Sequence, residues 1–213
     1  MDINAILKRL GLIDPTEKPF ELKGNWKAGY ALDLHTLSST PAEKDEEGNV
    51  LKWNTKYTEL GEELNKLKYW KERTRVGKIS EEASTFLNDY KEKWKLDLII
   101  PIPPSDQNRL FQPVYDLAEA IGEKCNLAVD YSILKKIKST TELKSIDDAI
   151  QRREILKGAF DIDKNALSGK NVLLFDDLYR SGETLRAVTE VLLNKGDARN
   201  VYILTITKTR SKR

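Results

Sequence analysis

Three short apolar runs in the second half of the chain constrain its fold more than any other feature. They are Leu98–Ile100, Val172–Phe175 and Val201–Ile206. Between these runs, residues 109–124 and 185–192 space their apolar side chains as amphipathic helices do. Apolar runs of this length, separated by such helices, are typical of a parallel sheet that helices cover on both faces. The pattern therefore predicts an α/β fold, with a parallel sheet flanked by helices.

The first half of the chain has a different pattern. We predict an N-terminal α+β extension over residues 1–95 and the parallel-sheet core over residues 96–213. Residues 26–38 alternate mildly between apolar and polar and predict a strand or a hairpin arm, with the polar stretch 40–50 as an exposed loop or hairpin tip. Helical spacing then predicts two helices over residues 58–93. The first has Leu60, Leu64, Leu67 and Trp70 on its apolar side, and the second begins at Ser80.

Composition excludes several classes of protein. The 213 residues include 36 Lys+Arg and 34 Asp+Glu, and this net charge of +2 does not indicate nucleic-acid binding. The basic stretch KLKYWKER (66–73) is better interpreted as a solvated face, because acids lie beside it. The single cysteine, Cys125, excludes an internal disulfide and a multi-cysteine zinc site. Without a signal peptide or an apolar run near the roughly eighteen residues of a membrane span, we expect a soluble, cytoplasmic protein.

The segment VLLFDDLYRSGETL, residues 172–185, carries the chemistry. A buried strand is predicted to end directly in Asp176 and Asp177, at the strand end where open parallel sheets bind ligands. Gly182 lets backbone N–H groups approach an anion, and the helix that follows adds further donors. The carboxylates can accept hydrogen bonds from two sugar hydroxyls and help to hold a hydrated Mg²⁺. Each residue alone is also compatible with a simple turn or cap, but two acids at a buried strand end favour a ligand.

This segment resembles the phosphoribosyl-diphosphate (PRPP) motif of type I phosphoribosyltransferases, which has four apolar residues, two acids, a few variable positions and then Thr/Ser-Gly-x-Thr. Residues 97–210 resemble the ComF-like branch of that family. The similar stretches are IPIPPSDQNRLFQP (100–113), QRREILKGAF (151–160) and LTITKTR (204–210). The chain departs from the pattern in two ways: it has no cysteine-rich zinc segment, and Arg180 stands where many relatives have Thr or Asp.

The resemblance implies a Mg²⁺-dependent enzyme that transfers phosphoribose between PRPP and a nitrogenous base, with pyrophosphate as the leaving group. Asp176 and Asp177 would be the catalytic pair, binding the ribose hydroxyls and contacting the metal indirectly. The residues that would bind the 5-phosphate are Tyr179, Arg180, Ser181, Gly182, Glu183 and Thr184. Those on the pyrophosphate side would be Pro104, Ser105 and Arg109, and a mobile loop would contribute Lys144, Arg152 and Arg153. For the arginines, the alternative is surface solvation.

The resemblance makes residues 1–95 the candidate for the variable hood that selects the acceptor. Within them, His35 is either a general acid/base or a hydrogen-bonded strand residue, and we favour the second interpretation. Four aromatic residues are candidates for the wall of a base pocket, or are simply core: Trp26, Tyr30, Trp53 and Tyr57.

Two other functions stay open at this point. The same fold can form a non-catalytic protein that senses PRPP or a nucleotide, or one that serves DNA uptake. Single-stranded nucleic-acid binding through the basic tail is the weaker alternative, because the net charge is close to zero. A small-molecule substrate and a homodimer are the partners that we expect.

Overall fold

The computed structural model describes residues 18–104, 111–138 and 149–210. In the first half, the elements are β1 (Phe20–Glu21), β2 (Ala28–Leu34), β3 (Thr36–Lys44), β4 (Val50–Tyr57), α1 (Glu59–Asn65), a π-helical turn (Lys66–Trp70) and α2 (Arg75–Trp94). In the second half they are β5 (Leu98–Pro101), α3 (Pro113–Cys125), β6 (Ala128–Val129), β7 (Lys135–Lys136), α4 (Ala149–Leu156), β8 (Phe160–Asp161), β9 (Asn171–Tyr179), α5 (Glu183–Asn194) and β10 (Asn200–Lys208).

A six-stranded sheet, in the order β1-β2-β10-β9-β5-β6, forms the centre of the molecule. All of its neighbouring strands pair in parallel except β1, which is antiparallel to β2. Side chains of α4 and α5 pack on one face, and side chains of α1, α2 and α3 pack on the other. We call these the α5 face and the α1 face. The predicted α/β fold, with helices on both faces of a parallel sheet, is confirmed.

The segment predicted as an extension contributes directly to this sheet. Strand β2 pairs with β10 from Ala28↔Tyr202 to Leu34↔Lys208, so the first half of the chain supplies the strand next to β10. On the α1 face, the Trp94 ring stacks on the Tyr202 ring with their centroids 4.6 Å apart. The two segments divided at residue 96 therefore share one sheet and one buried core.

The predicted hairpin arm is two strands instead of one. Residues 28–34 suit the main sheet because five of the seven residues have wholly or largely apolar side chains and the strand is partly buried on both faces. After a bend at His35, strand β3 forms an antiparallel hairpin with β4. The exposed tip lies at residues 45–49, within the predicted stretch 40–50, and residues 40–44 belong to β3.

The two predicted helices are present with different boundaries. The second begins at Arg75 and contains Ser80 as a buried interior residue. The first ends in a π-helical turn, which adds a residue to the turn and shifts the side chains that follow. Trp70, expected on the buried side, is 70% exposed for this reason.

The strand order reverses between β5 and β9. The chain leaves β5 through α3 to β6 on one side, whereas β9 lies on the other side of β5. The backbone N–H of Ile102 donates to the carbonyl of Phe175 at 2.8 Å, so the two segments stay together just beyond the end of β5. At such a switch point, the carboxyl ends of the strands form the crevice in which α/β proteins bind ligands.

Within the described parts of the chain, no helix combines the length and the apolar character needed to cross a membrane.

Candidate functional site

Asp176 and Asp177 lie near the carboxyl end of β9, beside the switch point. They are not the end of the strand, as the sequence predicted, because β9 continues to Tyr179. The extension arises from β10, which keeps pairing as far as Lys208↔Tyr179. Successive side chains of a strand point to opposite faces, so the Asp176 carboxyl lies on the α5 face and the Asp177 carboxyl on the α1 face.

Asp177 forms an ion pair with Lys68 from the π-helical turn. The Lys68 Nζ donates to Asp177 Oδ1 at 2.9 Å and lies 2.8 Å from Oδ2, so it spans both oxygens. The side chains are 21% and 9% exposed, respectively. Burial is the largest single influence on the pKa of Lys68 and lowers it, but the charge and hydrogen bond of Asp177, together with Asp176 and Tyr69, raise the pKa overall. Lys68 is therefore a fixed positive charge at this end of the sheet.

Asp176 is a carboxyl group that can change its protonation state near neutral pH. Burial and the neighbouring charge of Asp177 raise its pKa to about 7, although Lys68 and the Asp177 backbone N–H act in the opposite direction. That N–H donates to Asp176 Oδ1 at 2.8 Å and fixes the carboxyl group. Beside it on β10, the buried hydroxyl of Thr205 has no hydrogen-bond partner among the described residues. This end of the α5 face can thus both donate and accept hydrogen bonds.

His35 lies at the same edge, in the bend after β2. Its Nδ1 is 3.1 Å from the Thr207 hydroxyl, and its ring meets the Tyr57 ring edge-on at 5.5 Å. Burial and the charge of Lys68 lower the pKa of His35, with an opposing contribution from Asp177. The predicted hydrogen bond of His35 is present, although the residue lies in a bend and not in a strand, and its role stays a prediction.

The loop between β9 and α5 turns at Gly182, which has φ of 80° and precedes the first residue of α5. A Cβ there would lie 2.6 Å from the Tyr179 hydroxyl oxygen, so glycine is required both by the backbone and by the ring against it. Arg180 is exposed, and Ser181 and Thr184 are partly exposed beside the helix N-terminus. Their role in phosphate binding stays a prediction.

Two members of that predicted loop have other contacts. The Tyr179 ring packs against Gly182 and the core of the α5 face. The Glu183 side chain is buried, with Oε1 3.7 Å from Arg186 Nε. Arg186 in turn lies over the Trp26 ring, so Glu183 belongs to the packing beneath the helix start.

The remaining predicted residues are described only in part. Pro104 is partly buried just after β5, next to the switch point. Ser105, Arg109 and Lys144 lie outside the described residues. Arg152 and Arg153 belong to helix α4, so this part of the predicted mobile loop is helical. Their roles stay predictions.

The four aromatic residues proposed as a pocket wall do not come together. Trp26 is buried on the α5 face, whereas Tyr30 packs among aromatic rings on the α1 face. Trp53 is 54% exposed on β4. The interpretation of these residues as one wall is wrong.

Lys68 is the residue at this site that the sequence analysis missed. It stands four residues after Leu64 and eight after Leu60, both of which are buried. A lysine in line with a buried stripe is a signal that it pairs with an internal acid, because buried charges require partners. The acids close to it in sequence obscured that signal, since they favoured a solvated face.

The acid pair does not fit a directly coordinated metal ion. Both oxygens of Asp177 contact Lys68, and Asp176 has a raised pKa that favours its protonated form. Among the residues that the structure describes, no cluster of three or more His, Cys, Asp and Glu side chains could hold a metal. The predicted Mg²⁺, which Asp176 and Asp177 would contact only indirectly through water or ribose, stays a prediction.

Fold and site together define the class: an α/β protein whose parallel sheet presents, at its switch point, a carboxyl pair followed by a glycine turn and a helix N-terminus. In sequence, the chain is 30% identical over 133 residues to the competence protein ComFC of Bacillus subtilis (strain 168). The match covers 60% of this chain and 50% of that protein, so the chain spans about half the length of the curated relative that it matches. This similarity confirms the predicted resemblance to ComF-like proteins. No protein-family model matches the chain.

Two solved structures show weaker likeness. The UMP synthase of Leishmania donovani is 17% identical, with 78% of this chain and 27% of that chain covered and a TM-score of 0.39. A hypoxanthine phosphoribosyltransferase from Staphylococcus aureus is also 17% identical, with coverages of 66% and 69% and a TM-score of 0.38. Scores this low carry no argument, and the strand order described above is what establishes the fold.

Proposed function

We propose that this chain binds PRPP at the carboxyl edge of its sheet and acts as a phosphoribosyltransferase. The observation that carries the proposal is the unit Asn171–Asn194, in which β9, a glycine turn and α5 place a carboxyl pair beside a helix N-terminus. The helix N-terminus favours a phosphate, because its N–H groups and dipole attract anions. At this end of the strand, Asp176 on the α5 face and Asp177 on the α1 face would each accept a hydrogen bond from a sugar hydroxyl, because carboxylates accept hydrogen bonds.

In the proposed reaction, a nitrogen of the acceptor base forms a bond to the anomeric carbon while the bond from that carbon to the pyrophosphate oxygen breaks. The pyrophosphate leaves with the electron pair, and the acceptor loses a proton to solvent or to a neighbouring group. The protein would hold the ribose through Asp176 and Asp177, hold the 5-phosphate at Gly182, and place the leaving group near Pro104. Positioning and charge neutralisation are sufficient for such a transfer, so no nucleophilic side chain is needed.

A second function is a ComF-like binding protein that holds the same ligand without turnover. The similarity to a competence protein favours this candidate, since that relative is named for competence and not for a transfer reaction. The acceptor base, a role of residues 1–95 in its choice, and a homodimer stay predictions in either case.

Calorimetric titration with PRPP tests the proposal, combined with an assay of pyrophosphate release across a panel of purines and pyrimidines. We expect saturable binding by the wild type and a loss of at least about tenfold in affinity for Asp176→Ala, since a hydrogen bond to a carboxyl group is removed. The matched control is Asp161→Asn, which affects an acid paired with Lys195 at the other end of α5.

The outcomes separate the two candidates. Release of pyrophosphate with a particular base supports the transferase, whereas binding without release for every base supports the binding protein. Absence of PRPP binding by the folded wild type overturns both.

A further inference from the structure

We infer that Lys68 is a positioning residue of the sugar site: its ammonium group takes the place of a divalent cation at Asp177, so the acid pair binds a sugar without a metal ion. The inference deepens the proposed function and rests on it for the identity of the sugar. It begins from the position of the Lys68 Nζ, which lies 2.9 Å from one oxygen of Asp177 and 2.8 Å from the other.

The backbone around Lys68 holds this lysine in place. Its neighbour Leu67 is completely buried in the core of the α1 face, together with Leu64 one turn earlier. The π-helical turn is closed by Lys71, which has φ of 57° and donates its backbone N–H to the carbonyl of Lys66. Lys68 is therefore anchored on both sides, and its ammonium group is presented to Asp177 by a packed segment.

A metal ion and a sugar would meet this pair differently. A cation that bound Asp177 directly would have to displace the Lys68 ammonium from both carboxylate oxygens or lie beside its positive charge. A sugar hydroxyl is neutral, and a carboxylate has about four lone-pair sites, of which one ammonium group takes only two here. The arrangement thus admits a hydroxyl donor and opposes a second cation.

The pair also makes the site depend on the first half of the chain. Asp177 belongs to β9, whereas Lys68 lies 109 residues earlier in the sequence. His35, at the same edge, also comes from the first half and is held by Thr207 of β10. Residues 35–68 thus complete a site whose acids and turn come from the second half.

The test uses ribose 5-phosphate, which carries no diphosphate that would itself bring a metal. Its affinity is measured by calorimetry in chelator and in Mg²⁺, for the wild type, Lys68→Met, Lys68→Arg and the control Lys66→Met. Lys66 is on the same turn but pairs with Glu62 at 2.7 Å, away from the acid pair. Circular dichroism establishes that each variant is folded.

We expect equal affinity of the wild type and of Lys66→Met in chelator and in Mg²⁺. Lys68→Met should bind at least about tenfold more weakly in chelator and regain affinity in Mg²⁺, because the vacated carboxylate then accepts the ion. Lys68→Arg should bind ribose 5-phosphate equally well in chelator and in Mg²⁺. This variant still tests the inference if Lys68→Met does not fold.

Three results overturn the inference. They are wild-type binding that requires Mg²⁺, unchanged affinity of folded Lys68→Met in chelator, and metal-dependent binding by Lys68→Arg. The proposed function fails separately, if the wild type binds neither ribose 5-phosphate nor PRPP with or without metal.

Discussion

The contact between Lys68 and Asp177 connects two distant parts of the sequence through largely buried charges. In such a pair, removal of one partner is more harmful than removal of both, because a buried charge is left without compensation. We expect Asp177→Ala to lower the free energy of unfolding by about 3–5 kcal/mol. The double variant Lys68→Met/Asp177→Leu should recover most of that loss. Urea denaturation measures both, and a single variant as stable as the wild type would contradict the pairing.

The raised pKa of Asp176 gives stability a defined dependence on pH. The folded protein holds a proton up to a pKa of about 7, whereas the unfolded chain releases it near the ordinary value of 3.8. Between these values the folded state binds more protons, so this residue makes stability fall as pH rises, and above about 7 the full penalty is present.

The variant Asp176→Asn tests that dependence. It removes the titrating group but keeps a side-chain oxygen that can accept the hydrogen bond from the Asp177 backbone N–H. The stability of the variant should not decline between pH 3.8 and about 7, the two pKa values of Asp176. Its free energy of unfolding should exceed that of the wild type by the largest amount above neutral pH. Urea denaturation of both proteins at a series of pH values measures the difference. Parallel curves for the two proteins would show that Asp176 is not the titrating group.

The turn between β9 and α5 requires glycine for two independent reasons, its positive φ and the Tyr179 ring. Gly182→Ala should therefore lower the free energy of unfolding by about 1–2 kcal/mol and weaken phosphate binding. Gly77→Ala in α2 is the matched control, because a Cβ there meets open space. It should stabilise the protein by about 0.5–1 kcal/mol. Thermal denaturation measures both changes, and a loss of stability in both variants would contradict this account.

The parallel strands and their helices could be predicted because short apolar runs and helical spacing are local properties of the sequence. β5, β9 and β10 all contain the predicted runs, and the acids and glycine turn follow in the predicted order. The first residue of α2 and the presence of the π-helical turn could not be predicted from local apolar spacing, since tertiary packing determines both. The exposed Trp70 is an example, because a single added residue in the turn moved it off the buried side.

The contacts that complete the site were beyond prediction because they join residues far apart in the chain. A mildly alternating strand can pair within a hairpin or with a distant strand of a larger sheet. The sequence of residues 28–34 does not identify β10 as the strand with which it pairs. In the same way, the local surroundings of Lys68 contain acids that are nearer in sequence than Asp177. Only the three-dimensional arrangement selects the more distant acid.

The sheet as a unit makes a further prediction about the two halves of the chain. A chain that begins at residue 96 would lack β2, and the edge of β10 would be left without its parallel partner. It would also lack α1 and α2, which cover much of the α1 face. An apolar sheet face without its helices favours aggregation.

We therefore expect this fragment to be insoluble or to bind hydrophobic dyes, and to regain solubility on co-expression with residues 1–95. Gel filtration and dye fluorescence measure the outcome, with the full chain as the control. A monomeric fragment with cooperative unfolding would contradict this dependence and would make residues 96–213 a domain that folds without the extension.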